Sequence, residues 1–168
     1  MRKFAEPDGQ TPCLGEKAME RFRLMWNDVV YQPGEIRVVA YDADGKAAAE
    51  KVVRTAGKAS AIKLTPDRRV LNADGEDLCY VNVSLVDKDG NPVPVDSRLV
   101  KVKVTGAGSF KAIANGDPTC LESFQQPQMH LVSGQLTVLV QAGKEPGDIT
   151  VEVSGKGVKK ASMRIEVK

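Results

Sequence analysis

The sequence predicts an all-β protein made of two immunoglobulin-like β-sandwich units in tandem, the first of them incomplete. Three observations predict it. Val81-Val83-Leu85, Val100-Val102-Val104, Leu136-Val138-Val140, Ile149-Val151-Val153 and Met163-Ile165-Val167 each place an apolar residue at every second position, so one face of each run is apolar. The intervening positions carry Asn82 and Ser84, Lys101 and Lys103, Thr150 and Glu152, Arg164 and Glu166, and one-sided strands of this kind need a second sheet against which to close. Finally, no stretch keeps a helical period for more than two turns, the best candidate being residues 15–22.

The elements follow in order. Phe22, Leu24 and Trp26 alternate with polar or flexible neighbours, Pro33-Gly34 breaks the run, and Ile36, Val38 and Ala40 resume it, which gives strands over 22–27 and 35–42 and a third over 49–55. Three strands leave a whole apolar face exposed. A boundary is therefore expected near Gly57-Lys58, dividing a partial sandwich at 1–57 from a full one of about seven strands at 58–168 that starts at Ala61-Ile-Lys-Leu64. Turns are expected at Asp42–Gly45, Asn72–Gly75, Asp87–Pro92 and Asn115–Pro118, where residues that tolerate positive φ stand beside residues that preset a turn.

Composition narrows the function. The 168 residues carry a net charge of +2 with acids and bases interspersed, which argues against nucleic acid as a partner. The densest basic group, Lys156, Lys159 and Lys160, reads as a solvated strand edge. Cys13, Cys79 and Cys120 have neither C-x-x-C spacing nor an even count, so buried thiols are expected, Cys79 in phase with the core; no metal or cofactor site is indicated. The single His130 has no Cys or His neighbour in sequence that would make it a ligand. No segment is apolar enough to span a bilayer, and residues 1–8 lack the apolar core of a secretion signal.

The words R-L-M-W (23–26), V-x-Y-x-P-G-x-I (29–36), V-V-A-Y-D-x-D-G-K (38–46) and V-R-T-A-G (53–57) resemble the C-terminal region of bacterial, Bacteroides-type family-2 glycoside hydrolases of the β-galactosidase group. The resemblance continues through Gly106-Ala-Gly-Ser-Phe…Asn115-Gly-Asp-Pro-Thr119, with Cys120 where that family usually has serine, and spans residues 22–168. It implies a non-catalytic accessory region that packs beside a catalytic barrel lying elsewhere in a larger, periplasmic or extracytoplasmic β-galactosidase acting on O-glycosyl bonds. A V-E-L-F-L-N-G-K-type strand expected before R-L-M-W is missing, so the first unit reads as truncated, and its exposed face is a candidate homodimer surface. Residues 71–95, with their D-x-x-G-N-P-V ending, also resemble a bacterial immunoglobulin-like repeat of the invasin and intimin kind, which keeps open a free-standing adhesin or carbohydrate-binding module.

Candidate chemistry is sparse. A retaining glycosidase needs two carboxylates about 5 Å apart, and no motif pairs any two of Glu35, Glu50, Glu76, Glu122, Glu145, Glu152 and Glu166; no catalytic residue is assigned. Asp87-Lys-Asp-Gly-Asn91 invites a calcium reading, but an EF-hand loop would need Glu at position 98, which is Arg98; a hairpin turn is expected instead. Gly106 and Gly108 could suggest a phosphate loop, yet no helix follows to supply amides, so close backbone approach is expected there. Oligosaccharide contact is the remaining idea, with Trp26 and Tyr31 as aromatic platforms and Asn115 and Asp117 as polar partners; against it, aromatics are only 5% of the chain, Trp26 is in phase with Leu24 as a core residue would be, and Tyr31 can pack the Pro33-Gly34 loop.

Overall fold

The computed structural model describes residues 29–168. The expected strand at 22–27, the short helix candidate at 15–22, Trp26 and Cys13 lie outside the described residues. Eleven strands make up the regular structure of the described residues: β1 (Glu35–Tyr41), β2 (Ala47–Arg54), β3 (Ala61–Pro66), β4 (Val70–Leu71), β5 (Leu78–Val86), β6 (Leu99–Gly106), β7 (Gly108–Ala114), β8 (Gln128–His130), β9 (Gln135–Ala142), β10 (Gly147–Gly155) and β11 (Ala161–Val167). The fold is all-β among the described residues, as the alternating pattern predicts.

From β3 onward the strands form an immunoglobulin-like sandwich: a five-stranded sheet in the order β4-β11-β10-β6-β8 and a four-stranded sheet in the order β3-β5-β9-β7. All pairs are antiparallel except the short β4–β11 pair, which is parallel. Most of the inward positions found by the two-residue period land in the core. Val81, Val83, Leu85, Val138 and Val140 face Val100, Ile149, Val151, Val153 and Ile165, all of them excluded from solvent, and burying each such side chain contributes about 1.5–3 kcal/mol. Val104 and Met163, expected on the same faces, are only half-buried. Cys79 is fully buried among these residues, as its phase predicts.

The sandwich has nine strands rather than about seven. Three of the nine show no clean period in the sequence: two, β4 and β8, span two and three residues and are too short for one. The third, β7, is hidden by a bulge. Its register against β9 shifts between Phe110 and Ala112, so Phe110 (opposite Val140) and Ile113 (opposite Val138) both turn inward although three residues apart.

The close approaches expected of Gly106 and Gly108 are present. A Cβ on Gly106, whose φ is +99°, would lie 2.0 Å from the Asp148 carbonyl oxygen, and one on Gly108 would lie 2.4 Å from Ile149 Cδ1. Both glycines sit where β6 turns into β7 beneath β10. The basic group does not form a strand edge of its own: Lys156 lies in the β10–β11 turn, while the Lys159 backbone bridges to Ala61, donating to the Ser60 carbonyl at 2.8 Å and accepting from Ile62 N–H at 3.2 Å. The exposed Lys159 thus covers part of the outer edge of β3.

The strands β1 and β2 pair only with each other among the described residues. Direct partners share a face, so Ile36 with Val53, Val38 with Lys51, and Ala40 with Ala49 form one side, and Glu35 with Arg54, Arg37 with Val52, and Val39 with Glu50 form the other. The second side carries an ionic lattice, Arg37 bridging Glu35 and Glu50 at 2.9 Å each and Arg54 reaching Glu35 at 2.8 Å, with Val39 and Val52 half-buried beneath it. The first side has no such cover among the described residues: Ile36 is 56% exposed and Val53 59%.

Candidate functional site

The carboxylates come first, because glycoside chemistry needs one held protonated and one ionised. Where a displacement is resolved, every carboxylate in the described residues is displaced downward, toward the ionised form: Glu35, Asp67, Asp74, Asp87, Asp96, Asp117 and Glu122. Their partners explain it. Glu35 meets Arg37 and Arg54, Asp96 pairs with Arg98, and Asp74 accepts the Glu76 and Asp77 amides at 2.8 and 2.7 Å. None is raised as a general acid would be.

Asp87 is the buried carboxylate of the sandwich. It accepts the Gly57 amide at 2.8 Å, the Asp89 and Asn91 amides at 2.9 Å each, and the Asn91 side-chain amide at 3.0 Å. The Gly57 amide and then the Asn91 side chain hold its pKa down to about 2. A carboxylate whose lone pairs face four N–H donors turns no free oxygen toward a cation. The sequence Asp87–Asn91 is a turn that clasps the segment leading from β2 into β3.

A second polar group gathers on the loop between β7 and β8. Asn115 Nδ2 donates to the His130 carbonyl at 3.0 Å, Asn115 Oδ1 accepts the Asp117 amide at 3.1 Å, and Asp117 Oδ1 accepts both Thr119 N–H (2.8 Å) and its hydroxyl (2.7 Å). Glu122 accepts His130 N–H at 3.0 Å and stands 3.0 Å from His130 Nδ1; the His130 amide is the main cause of its lowered pKa. His130 therefore acts as a strap on this loop. Asn115 and Asp117 fix the turn that the sequence predicts, with Gly116 at φ +78°.

Asn115 also borders a pocket of about 280 Å³ on the outer face of the four-stranded sheet, together with Asn82, Gln135 and Thr137. Asp117 does not border it. The sequence marks Asn82 as an outward position, but only the register, Asn82 opposite Thr137 and Ala114 opposite Thr137, brings these residues together. Their alternation was the available signal; strand pairing was the missing one. A second pocket, about 330 Å³, is bordered by Gly106, Ala107, Gly108, Ser109, Gly143, Lys144 and Glu145. Tyr31, the other candidate sugar platform, precedes β1 and is 68% exposed.

A family profile described as glycoside hydrolase family 2 C-terminal domain 5 matches residues 62–164, the span of the sandwich. The chain belongs to that family. A second profile, described as a domain of unknown function, matches residues 11–49 and so includes β1. Among proteins similar to this member of the family is the β-galactosidase BoGH2A of Bacteroides ovatus, 34% identical over 158 residues. That match takes in 94% of this chain but 18% of the relative's length. Among solved structures, a glycosyl hydrolase family 2 member from Bacteroides cellulosilyticus is 31% identical with a TM-score of 0.77, covering 83% of this chain and 18% of that one. A β-glycosidase from Bacteroides vulgatus is 27% identical, also with a TM-score of 0.77 and the same coverage. The resemblance seen in the sequence words is thus borne out. This family-2 C-terminal domain spans under a fifth of the length of these relatives.

Proposed function

We propose that this chain is a non-catalytic accessory region of a larger family-2 glycosidase of the β-galactosidase type, and that it works by packing on the remainder of that polypeptide. The observation that carries the reading is the uncovered side of the β1–β2 sheet. Among the described residues, Ile36, Val38, Ala40, Ala49 and Val53, with Lys51 opposite Val38, present a mainly apolar face on two strands, and a two-stranded sheet is marginal by itself. Contiguous apolar surface of this kind marks a contact site. The length relation to the relatives supports a covalent neighbour as its occupant; a second copy of the chain is the competing occupant. The division between this partial sheet and the sandwich is proposed at Gly57-Lys58, supported by the separate pairing of β1 and β2.

The carboxylates support the absence of catalysis, since those with a displaced pKa favour one protonation state. Hydrogen exchange read by mass spectrometry tests the packing role. In the isolated chain, β1 and β2 amides are expected to exchange on the shortest timescale, while β5 and β9 stay protected. Equal protection in both sheets would mean that the hairpin is already complete and needs no neighbour.

A further inference from the structure

We propose that the outer face of the four-stranded sheet binds a neutral saccharide in the pocket bordered by Asn82, Asn115, Gln135 and Thr137, with Tyr80 as its platform. The pocket wall holds no charged side chain, on a chain in which 27% of residues are charged. Without a cation it has nothing to neutralise phosphate, and without a carboxylate or imidazole it has no ligand for a metal. Its apolar contribution is small: Leu136 lends backbone, its side chain being turned inward and 4% exposed, and Ala114 adds one methyl. A ligand rich in hydroxyls and free of charge matches that wall.

The hydrogen-bonding pattern is more specific. The Thr137 hydroxyl donates to Asn82 Oδ1 at 2.9 Å. That bond fixes the Asn82 amide with its NH₂ as an unused donor and leaves the Thr137 oxygen as an acceptor. A donor beside an acceptor suits a sugar hydroxyl, which is both at once. Gln135 offers a second donor and acceptor pair, because its side chain has no hydrogen-bond partner among the described residues. Asn115 is already committed to the His130 carbonyl and the Asp117 amide and so serves as a rigid wall.

Tyr80 supplies the apolar element. It stands two residues before Asn82 on the same face of β5, about 7 Å away along the strand, opposite Leu139 and 44% exposed. An exposed ring at that spacing can stack on the C–H face of a sugar whose hydroxyls reach Asn82 and Thr137. Small residues, Ala112 and Ala114, line the neighbouring strand on the same face and keep the approach open. The site lies wholly on β5, β7, β9 and the turn after β7, so it does not depend on the packing role of the hairpin.

The test is a titration of the full chain, isotope-labelled, with lactose and with cellobiose, read by NMR. Saturable shifts are expected at the side-chain amides of Asn82 and Gln135 and the backbone amides of Tyr80 and Thr137. Asn82→Ala and Tyr80→Ala should each weaken binding about fivefold, the equivalent of one lost net hydrogen bond or contact, while leaving the unfolding midpoint of this exposed face near that of the parent. Absence of shifts with both disaccharides overturns the proposal. So do shifts that map elsewhere, or an affinity in both variants equal to that of the parent chain.

Discussion

Replacing Gly106 with alanine tests whether the glycine-rich segment is there for close packing. The residue has φ +99°, where a side chain costs about 1–2 kcal/mol. The added methyl would also stand 2.0 Å from the Asp148 carbonyl oxygen, which accepts the Ala107 amide at 3.1 Å. Neither atom is the end of a flexible side chain, so the β6–β7 corner must move away from β10 at an overpacking cost of about 1–3 kcal/mol. Together these give a loss of about 2–5 kcal/mol, which for a chain of this size lowers the thermal midpoint by about 2–4 °C per kcal/mol. Gly116→Ala is the matched control, since its φ of +78° imposes similar strain but nothing lies within 4 Å of the added carbon. Urea unfolding followed by circular dichroism on both variants separates the two contributions. If Gly106→Ala costs no more than Gly116→Ala, the close approach of β10 is not what requires glycine, and the reasoning fails.

Leu85→Ala, at a fully buried position in β5, should lose about 2–5 kcal/mol in the same urea assay; a loss under about 1 kcal/mol would show that the core does not close on this strand. The pH dependence of stability should carry the signature of Asp87. Its folded pKa of about 2 lies below the ordinary value, so its contribution is complete above about pH 4 and is lost as pH falls through about 2; the gap between wild type and Asp87→Asn should shrink over that window, and a gap constant with pH would refute it. Burial first, with the Asp67 interaction adding to it, pushes the Cys79 thiol up to about 11, so pulsed iodoacetamide at pH 8 should leave Cys79 unlabelled in the native chain while labelling the half-buried Cys120. Equal labelling of the two would contradict the burial of β5.

The sandwich was legible where the two-residue period is clean. Val81, Val83 and Leu85 or Ile149, Val151 and Val153 each commit one face, and a single-residue slip would expose the whole set. β7 was not legible because its bulge puts Phe110 and Ile113 on one face three residues apart, which imitates no strand. The family was legible in short words such as R-L-M-W and N-G-D-P-T, and in the second of these Asn115, Gly116 and Asp117 build the turn after β7. The pocket on the outer sheet face was not, because Asn82, Thr137 and Asn115 come from three separate parts of the chain and meet only through the register of β5, β9 and β7. Asp87 shows the opposite case: its turn was predicted, yet its hold on Gly57, thirty residues away, is a tertiary contact that no local pattern encodes.

The most direct test of the accessory role is a hydrolysis assay of the purified chain alone on nitrophenyl β-galactoside across the pH range in which it stays folded. No release of nitrophenol above the buffer rate is expected. Turnover that disappears on substituting a carboxylate of this chain, Glu122 or Asp117 for instance, would contradict a non-catalytic role and put a glycosidase site within these residues.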